Sequence, residues 1–263
     1  GFGNPGSGTI GQQVKPRLIG QGVMDHERIF ALRQSAMRPA LGGLIGQAMG
    51  AIENALLDAK AKTLGVSCAQ LLGGKIRDRV PLYWSHCTTW RISRKPHYQP
   101  MIETIDDVVS LGREVRDRGF KALKTNVYTY VDRKPRGWAT GFGVPFEPGL
   151  NVDRQLLHGF REHLEALRDG AGPDVDILID LNFNTRTEGY LSLVRALADM
   201  DLFWIELDTL NPQALAYIRE QSNHPIASCE TLVGPAAFRP FFAEQAMERR
   251  LAVDEDRRHG RRP

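Results

Sequence analysis

The chain has 263 residues, 42% of them hydrophobic and 25% charged, a balance that excludes wholesale disorder and predicts one or two folded domains needing no disulfide or metal staple. Formal net charge is 34 − 31 = +3, and the six Arg and four acidic residues between Glu248 and Pro263 account for +2 of it. The near-neutral remainder gives no electrostatic case for a nucleic-acid or membrane partner, and no apolar run is long enough for a transmembrane span.

The first residues, Gly1-Phe2-Gly3-Asn4-Pro5-Gly6, carry no initiator Met, basic n-region or apolar h-region. No signal peptide is visible there, and the chain is expected to begin partway into something larger. Helical character starts around Asp25–Ser35. The clearest helix follows, with apolar positions Ile45, Ala48, Met49, Ile52, Ala55, Leu56 and Ala59 tracing one face, and Gly65 as its left-handed stop. Leu71-Leu72-Gly73-Gly74 leads to a strand at Val80–Trp84. A βα alternation then sets in. Thr104 and Asp107 form a capping-box pattern at the start of helix Ile105–Arg118, Gly119 closes it, and a strand at Lys121–Val127 follows. The stretch Tyr128–Leu150 lacks periodicity and reads as a long loop. Beyond it come helix Asp153–Arg168, strand Asp176–Asp180, helix Gly189–Met200, strand Leu202–Glu206, helix Pro212–Gln221, strand Pro225–Glu230 and helix Pro235–Ala246. Strands alternating with helices of this length imply a parallel sheet.

Three successive strands each end in an acid: Asp180, Glu206 and Glu230, spaced 26 and 24 residues apart, about one βα unit each. A (β/α)8 barrel gathers the C-terminal ends of consecutive strands around one mouth. Three carboxylates meeting there repel one another unless a cation lies between them, and hard oxygen donors suit Mg2+. On the second strand Lys124 and Asn126 share a face by strand alternation, which should be the barrel interior. A Lys beside a cation and a substrate carboxylate can stabilise developing negative charge. Cys68, Cys87 and Cys229, spaced 19 and 142 residues apart, match no metal or redox motif and read as reduced thiols of a cytoplasmic protein. His86 ends the first strand, and a packing or solvent role is expected for it. The remaining histidines, His163 and His224 among them, show no ligand spacing.

Several stretches resemble the mandelate racemase and muconate-lactonizing-enzyme branch of the enolase superfamily. They are Ala51-Ile52-Glu53-Asn54-Ala55-Leu56-Leu57-Asp58-Ala59-Lys60 with Leu71-Leu72-Gly73-Gly74, then Gly119–Asn126, then Asp180-Leu181-Asn182, Glu206 and Ser228-Cys229-Glu230. The resemblance implies an α/β fold in which residues 1–79 are part of an N-terminal α+β capping domain with a helix leading into the barrel. Residues 80–247 would form a partial (β/α)8 TIM-type barrel, and 248–263 an atypical charged tail. It also implies chemistry. Mg2+ held by Asp180, Glu206 and Glu230 would chelate a small-molecule carboxylate, a sugar acid. A base would remove the α-proton, and Lys124 would help hold the enediolate.

Lys124 matches the first Lys of the family's Lys-x-Lys motif, whereas the second, a base in the racemases, is Asn126 here. An amide takes up no proton at neutral pH, so the role expected for Asn126 at the catalytic site is that of a hydrogen-bond donor to the substrate. The departure favours a one-base reaction, acid-sugar dehydration, over racemisation or cycloisomerisation. The family's base for that reaction, a His on a later strand, has no counterpart in Glu248–Pro263, where only three of sixteen residues are clearly apolar. The chain is therefore expected to be shortened at both ends. Its other reading is a non-catalytic fragment of such an enzyme. A homo-oligomer is the expectation for the full-length family.

Overall fold

A computed structural model describes residues 15–36, 43–93, 97–139 and 152–247. The expected tail 248–263, and the part of the expected loop from residue 140 to 150, lie outside them. The chain divides into two compact units. One comprises residues up to Val80 with Leu232–Ala236; the other comprises Pro81–Thr231 and the residues from Ala237 onward.

The regular elements wholly within the described part of the first unit are helical: α1 (Lys15–Leu18), a 3-10 turn (Val23–Asp25), α2 (His26–Ala36), α3 (Gly43–Leu64) and α4 (Cys68–Leu71). No strand of the expected α+β cap is among them. Helix α3 buries Ala48, Ile52 and Ala61. It ends where Gly65 turns left-handed at φ 69°, a conformation that costs a side-chain-bearing residue far more. The turn lets the Val66 N–H reach the Ala61 carbonyl at 3.0 Å, which satisfies an orphan acceptor of the last helical turn. Ser67 and Gln70 then cap α4 reciprocally. Among the described residues no helix is long and apolar enough to cross a membrane.

The second unit carries β1 (Tyr83–Trp84), α5 (Cys87–Ser93), α6 (Ile105–Asp117), β2 (Ala122–Asn126), β3 (Tyr128–Val131), β4 (Lys134–Gly137), α7 (Arg154–Ala171), β5 (Asp176–Asp180), α8 (Thr187–Ala196), β6 (Trp204–Glu206), α9 (Pro212–Glu220), β7 (Ile226–Ala227) and, from Ala237 onward, α10 (Pro235–Ala243). Strands β1, β2, β5, β6 and β7 form one parallel sheet in that order. Neighbours in space follow chain order with no reversal. That is the winding of a (β/α)8 barrel rather than of a doubly wound sheet, which changes direction at a switch point.

The expected loop Tyr128–Leu150 begins instead as an antiparallel hairpin, β3 against β4. Its two turn residues, Asp132 and Arg133, both have positive φ, the geometry that matches a tight hairpin to strand twist. With no Asn-Gly or Asp-Gly pair at the tip, the sequence carries no sign of it.

The core lies between the sheet and its helices. Val108, Leu111 and Val115 of α6, Phe160, Leu164 and Leu167 of α7, and Ile177 and Ile179 of β5 are all buried. Each such side chain contributes roughly 1.5–3 kcal/mol by leaving water. Helix α6 opens with the expected capping box, Thr104 with Asp107. Helices α6 and α7 pack so closely that glycines meet backbone. A Cβ on Gly170 would lie 2.0 Å from the Val109 carbonyl oxygen, and one on Gly112 would lie 2.6 Å from that of Leu167.

Behind β2, His163 is fully buried, with Nε2 3.0 Å from the Thr125 hydroxyl and Nδ1 2.7 Å from the Tyr130 hydroxyl. Burial pushes its pKa down to about 3, so the ring is neutral and serves as a tie between hairpin, helix and strand.

The glycine crossing yields a test. Gly170→Ala should lower stability by about 3 kcal/mol, because backbone rather than a flexible side chain must move. Gly50→Ala, in a helix with nothing within 4 Å of the added carbon, should be neutral or stabilising by up to about 1 kcal/mol. Urea midpoints with unchanged slopes would establish both.

Candidate metal centre at the strand ends

Parallel register brings the strand ends into line. Asn126 pairs with Asp180, Asp180 with Glu206, and Glu206 with Ala227. Partners in a parallel ladder point to the same side, so Asn126, Asp180 and Glu206 form one row on the inner face. Leu178 and Trp204, one layer below, form an apolar cluster with Ala227, the partner of Glu206 in the row itself, and Tyr83 and Ala122 pack against it. Tyr83 meets Trp204 edge-on at 5.8 Å. Charged groups thus sit above apolar side chains.

Lys124 rises from the lower layer and is 5% exposed. Its ammonium lies 2.9 Å from Asp180 Oδ2 and 2.5 Å from Glu206 Oε2. Burial works against the charged ammonium, yet the two carboxylates outweigh it and hold the lysine above its ordinary pKa. Glu206 nevertheless stands above the usual carboxylate range. Its own burial and the neighbouring Asp180 raise it, Lys124 opposes them, and Glu230 adds to the repulsion. Both partners of one ion pair are raised because a single cation faces more than one carboxylate.

A fourth acid, Asp208, escaped the sequence reading. It is buried, and its carboxyl is pushed up to about 7, first by burial and then by Glu230, Asp180 and Glu206. Its position two residues beyond Glu206 was the available signal, since i and i+2 share a face of an extended chain.

The strand ends are tied together beyond the regular ladder. Leu181 N–H donates to the Glu206 carbonyl at 2.7 Å, and Leu207 N–H to the Ala227 carbonyl at 3.1 Å. The buried Tyr190 hydroxyl donates to the carbonyls of Asn182 at 2.5 Å and Asp208 at 3.2 Å, so one phenol spans two strand ends. Asn182, left-handed at φ 51°, turns its N–H onto Asp180 Oδ1 at 3.0 Å and orients that carboxylate.

Glu230 is exposed, at the third residue past β7, which is shorter than the expected Pro225–Glu230 strand. Among the described residues, no group of three or more His, Cys, Asp and Glu side chains is drawn together at metal-holding spacing. The Lys124 ammonium occupies the space between Asp180 and Glu206. The donor set still fits a hard divalent cation. Four carboxylates oppose one another's ionisation across the strand ends with one ammonium among them, an arrangement that added positive charge relieves.

Asn126 is hydrogen-bonded through both ends of its amide. Its Oδ1 accepts from the Thr89 hydroxyl at 2.6 Å and lies 2.9 Å from His86 Nδ1, while its Nδ2 donates to the Asp180 carbonyl at 3.3 Å. The packing or solvent role expected for His86 is therefore incomplete, since its ring also enters the row of strand-end groups.

A sheet wound in chain order, with carboxylates from successive strands meeting a lysine at its C-terminal edge, defines a (β/α)-barrel protein of the enolase type. The chain belongs to the mandelate racemase / muconate lactonizing enzyme family of the enolase superfamily. Residues 6–73 match that family's N-terminal domain, and residues 107–249 match the enolase C-terminal domain-like family. Over 249 residues it is 30% identical to a D-galactonate dehydratase family member of Streptomyces bingchenggensis, covering 84% of this chain and 55% of that protein. Over 210 residues it is 30% identical to the D-galactarolactone cycloisomerase of Agrobacterium fabrum, covering 80% of this chain and 46% of the relative. A crystal structure from Burkholderia xenovorans strain LB400 superposes with a TM-score of 0.89 at 56% identity, over 94% of this chain and 62% of the other. That protein is provisionally described as an L-alanine-DL-glutamate epimerase bound to magnesium and fumarate. The chain thus spans about half the length of the curated relatives it matches.

Asp208 gives a test of the crowding. A carboxyl raised from 3.8 to about 7 contributes stability that is complete below the lower value and lost as pH rises through the upper one. In metal-free buffer, Asp208→Asn should therefore remove a decline between pH 4 and pH 7, and should stabilise the chain on the order of 2 kcal/mol at pH 8. Denaturation midpoints at pH 5 and pH 8 read the difference; parallel pH profiles would refute it.

Proposed function

We propose that this chain carries the Mg2+-dependent site of an acid-sugar dehydratase, a cytoplasmic enzyme that removes the proton α to a carboxylate and expels the β-hydroxyl. One observation carries the reading: a buried lysine wedged between carboxylates of adjacent strands, in a chain whose curated relatives include a D-galactonate dehydratase family member. Asp180, Glu206 and Glu230 would hold Mg2+. When bound, the ion supplies the charge that fixes the substrate carboxylate and lowers the cost of the enediolate.

The chain's own residues do the rest. Asp180, oriented by the Asn182 N–H, presents a fixed oxygen. Lys124 keeps positive charge beside the substrate carboxylate in a site floored by apolar side chains, where that charge is poorly screened. Asn126 takes up no proton, so it cannot supply one of the two opposed bases that racemisation uses. The three cysteines are free thiols, consistent with a reducing compartment.

A second reading, epimerisation, is favoured by the provisional description of the Burkholderia protein. Products separate the two. Dehydration of a panel of aldonic acids yields 2-keto-3-deoxy acids, whereas epimerisation yields deuterium incorporation with inversion at the α-carbon.

Calorimetric titration tests the metal assignment directly. The chain should bind Mg2+ with measurable heat, and the combined change Asp180→Ala, Glu206→Ala and Glu230→Ala should abolish it. Equal heats for the two proteins would sink the assignment.

A further inference from the structure

The reaction proposed above needs a proton acceptor, and the strand carrying Lys124 offers none at Asn126. The adjoining strand does. Register pairs Tyr83 with Ala122 and Trp84 with Leu123, so continued alternation would place His86 beside Thr125, on the outer face. The backbone departs from that course. His86 has φ 50°, left-handed for a residue with a side chain, and its ring meets Asn126 on the inner face. Trp90 packs against the ring edge-on at 6.2 Å.

The hydrogen bonds set the tautomer. Asn126 Nδ2 faces the Asp180 carbonyl, which only accepts, so the amide cannot be turned round without setting oxygen against oxygen. Its Oδ1 therefore faces His86 and Thr89 and accepts from both. His86 Nδ1 must then be the protonated nitrogen, which leaves the lone pair on Nε2. A side chain useless as a base thus aims and tautomerises one supplied by the next strand. Second-sphere partners fix imidazole bases in this way elsewhere in enzyme chemistry.

We propose that His86, held by Asn126 and Thr89, is a catalytic base of this site, its Nε2 taking the α-proton of a hydroxy acid. In the step, the C–H bond breaks, the proton moves to Nε2, and the bonding pair passes into the carboxylate to give the enediolate. The inference rests on the reading of the site as one for proton abstraction, and the experiments keep the two separable.

D-galactonate serves as the probe, with acetate as a carboxylate lacking hydroxyls. Nitrogen-15 NMR of the chain should show His86 as the Nδ1–H tautomer, with a mixture in Asn126→Ala. The Nε2 resonance should shift on adding D-galactonate with Mg2+, and less with acetate. His86→Gln should bind Mg2+ as the unaltered chain does, yet lose at least about 100-fold in α-proton exchange with D2O. Exchange within about threefold of the unaltered chain, with metal binding intact, would overturn His86 as base while leaving the metal site standing. If the unaltered chain neither binds Mg2+ nor exchanges protons, the reading of the site falls. The base assignment falls with it, since a chain that exchanges no proton has no catalytic base; Mg2+ binding without exchange would overturn His86 as base while leaving the metal site standing.

Discussion

One lysine ammonium set against too many carboxylates is the interaction on which this structure turns. Lys124 is buried and lies within ion-pair distance of both Asp180 and Glu206, while Glu206 and Asp208 remain harder to ionise than free carboxyls. A buried ion pair seldom adds net stability, because desolvation consumes most of its Coulomb energy. An unbalanced one is worse, and a fold keeps such a cluster only where its charge has a use. The excess of carboxylates over cations sets the strand ends apart from a balanced ion-pair network.

The fold's task is to hold that imbalance in place. The parallel ladder aligns Asn126, Asp180 and Glu206 in one row, and backbone hydrogen bonds past the regular strands carry the alignment to Leu207. Tyr190 bridges two strand ends from behind, and the neutral His163 pins the hairpin and α7 to the outer face of β2. Each tie is buried and uncharged, so none adds to the electrostatic strain at the row it supports. Leu178 and Trp204 place an apolar layer beneath the charges.

Relatedness and local geometry bear on different levels of description. The match to the family and the overlay on the Burkholderia structure concern the scaffold. The hydrogen bonds around Asn126 concern local geometry alone. There the amide is bound on three sides, by Thr89, His86 and the Asp180 carbonyl, so it acts by orienting neighbours rather than by exchanging protons.

Much was legible in the sequence because it depends on local period and spacing. The βα alternation, the capping box at Thr104 and Asp107, the left-handed stop at Gly65 and the acids one βα unit apart all follow from the order of residues. So does the shared face of Lys124 and Asn126, which strand alternation alone dictates. Tertiary structure decided what alternation cannot. The hairpin Tyr128–Gly137 has a tip, Asp132-Arg133, whose left-handed backbone no residue type there demands. Asp208 joins the acidic cluster only because neighbouring strands end at the same height. His86 reaches Asn126 only because its backbone breaks register at φ 50°. Sequence sets which residues can share a face; the register between strands, and one turn out of register, settle which of them meet.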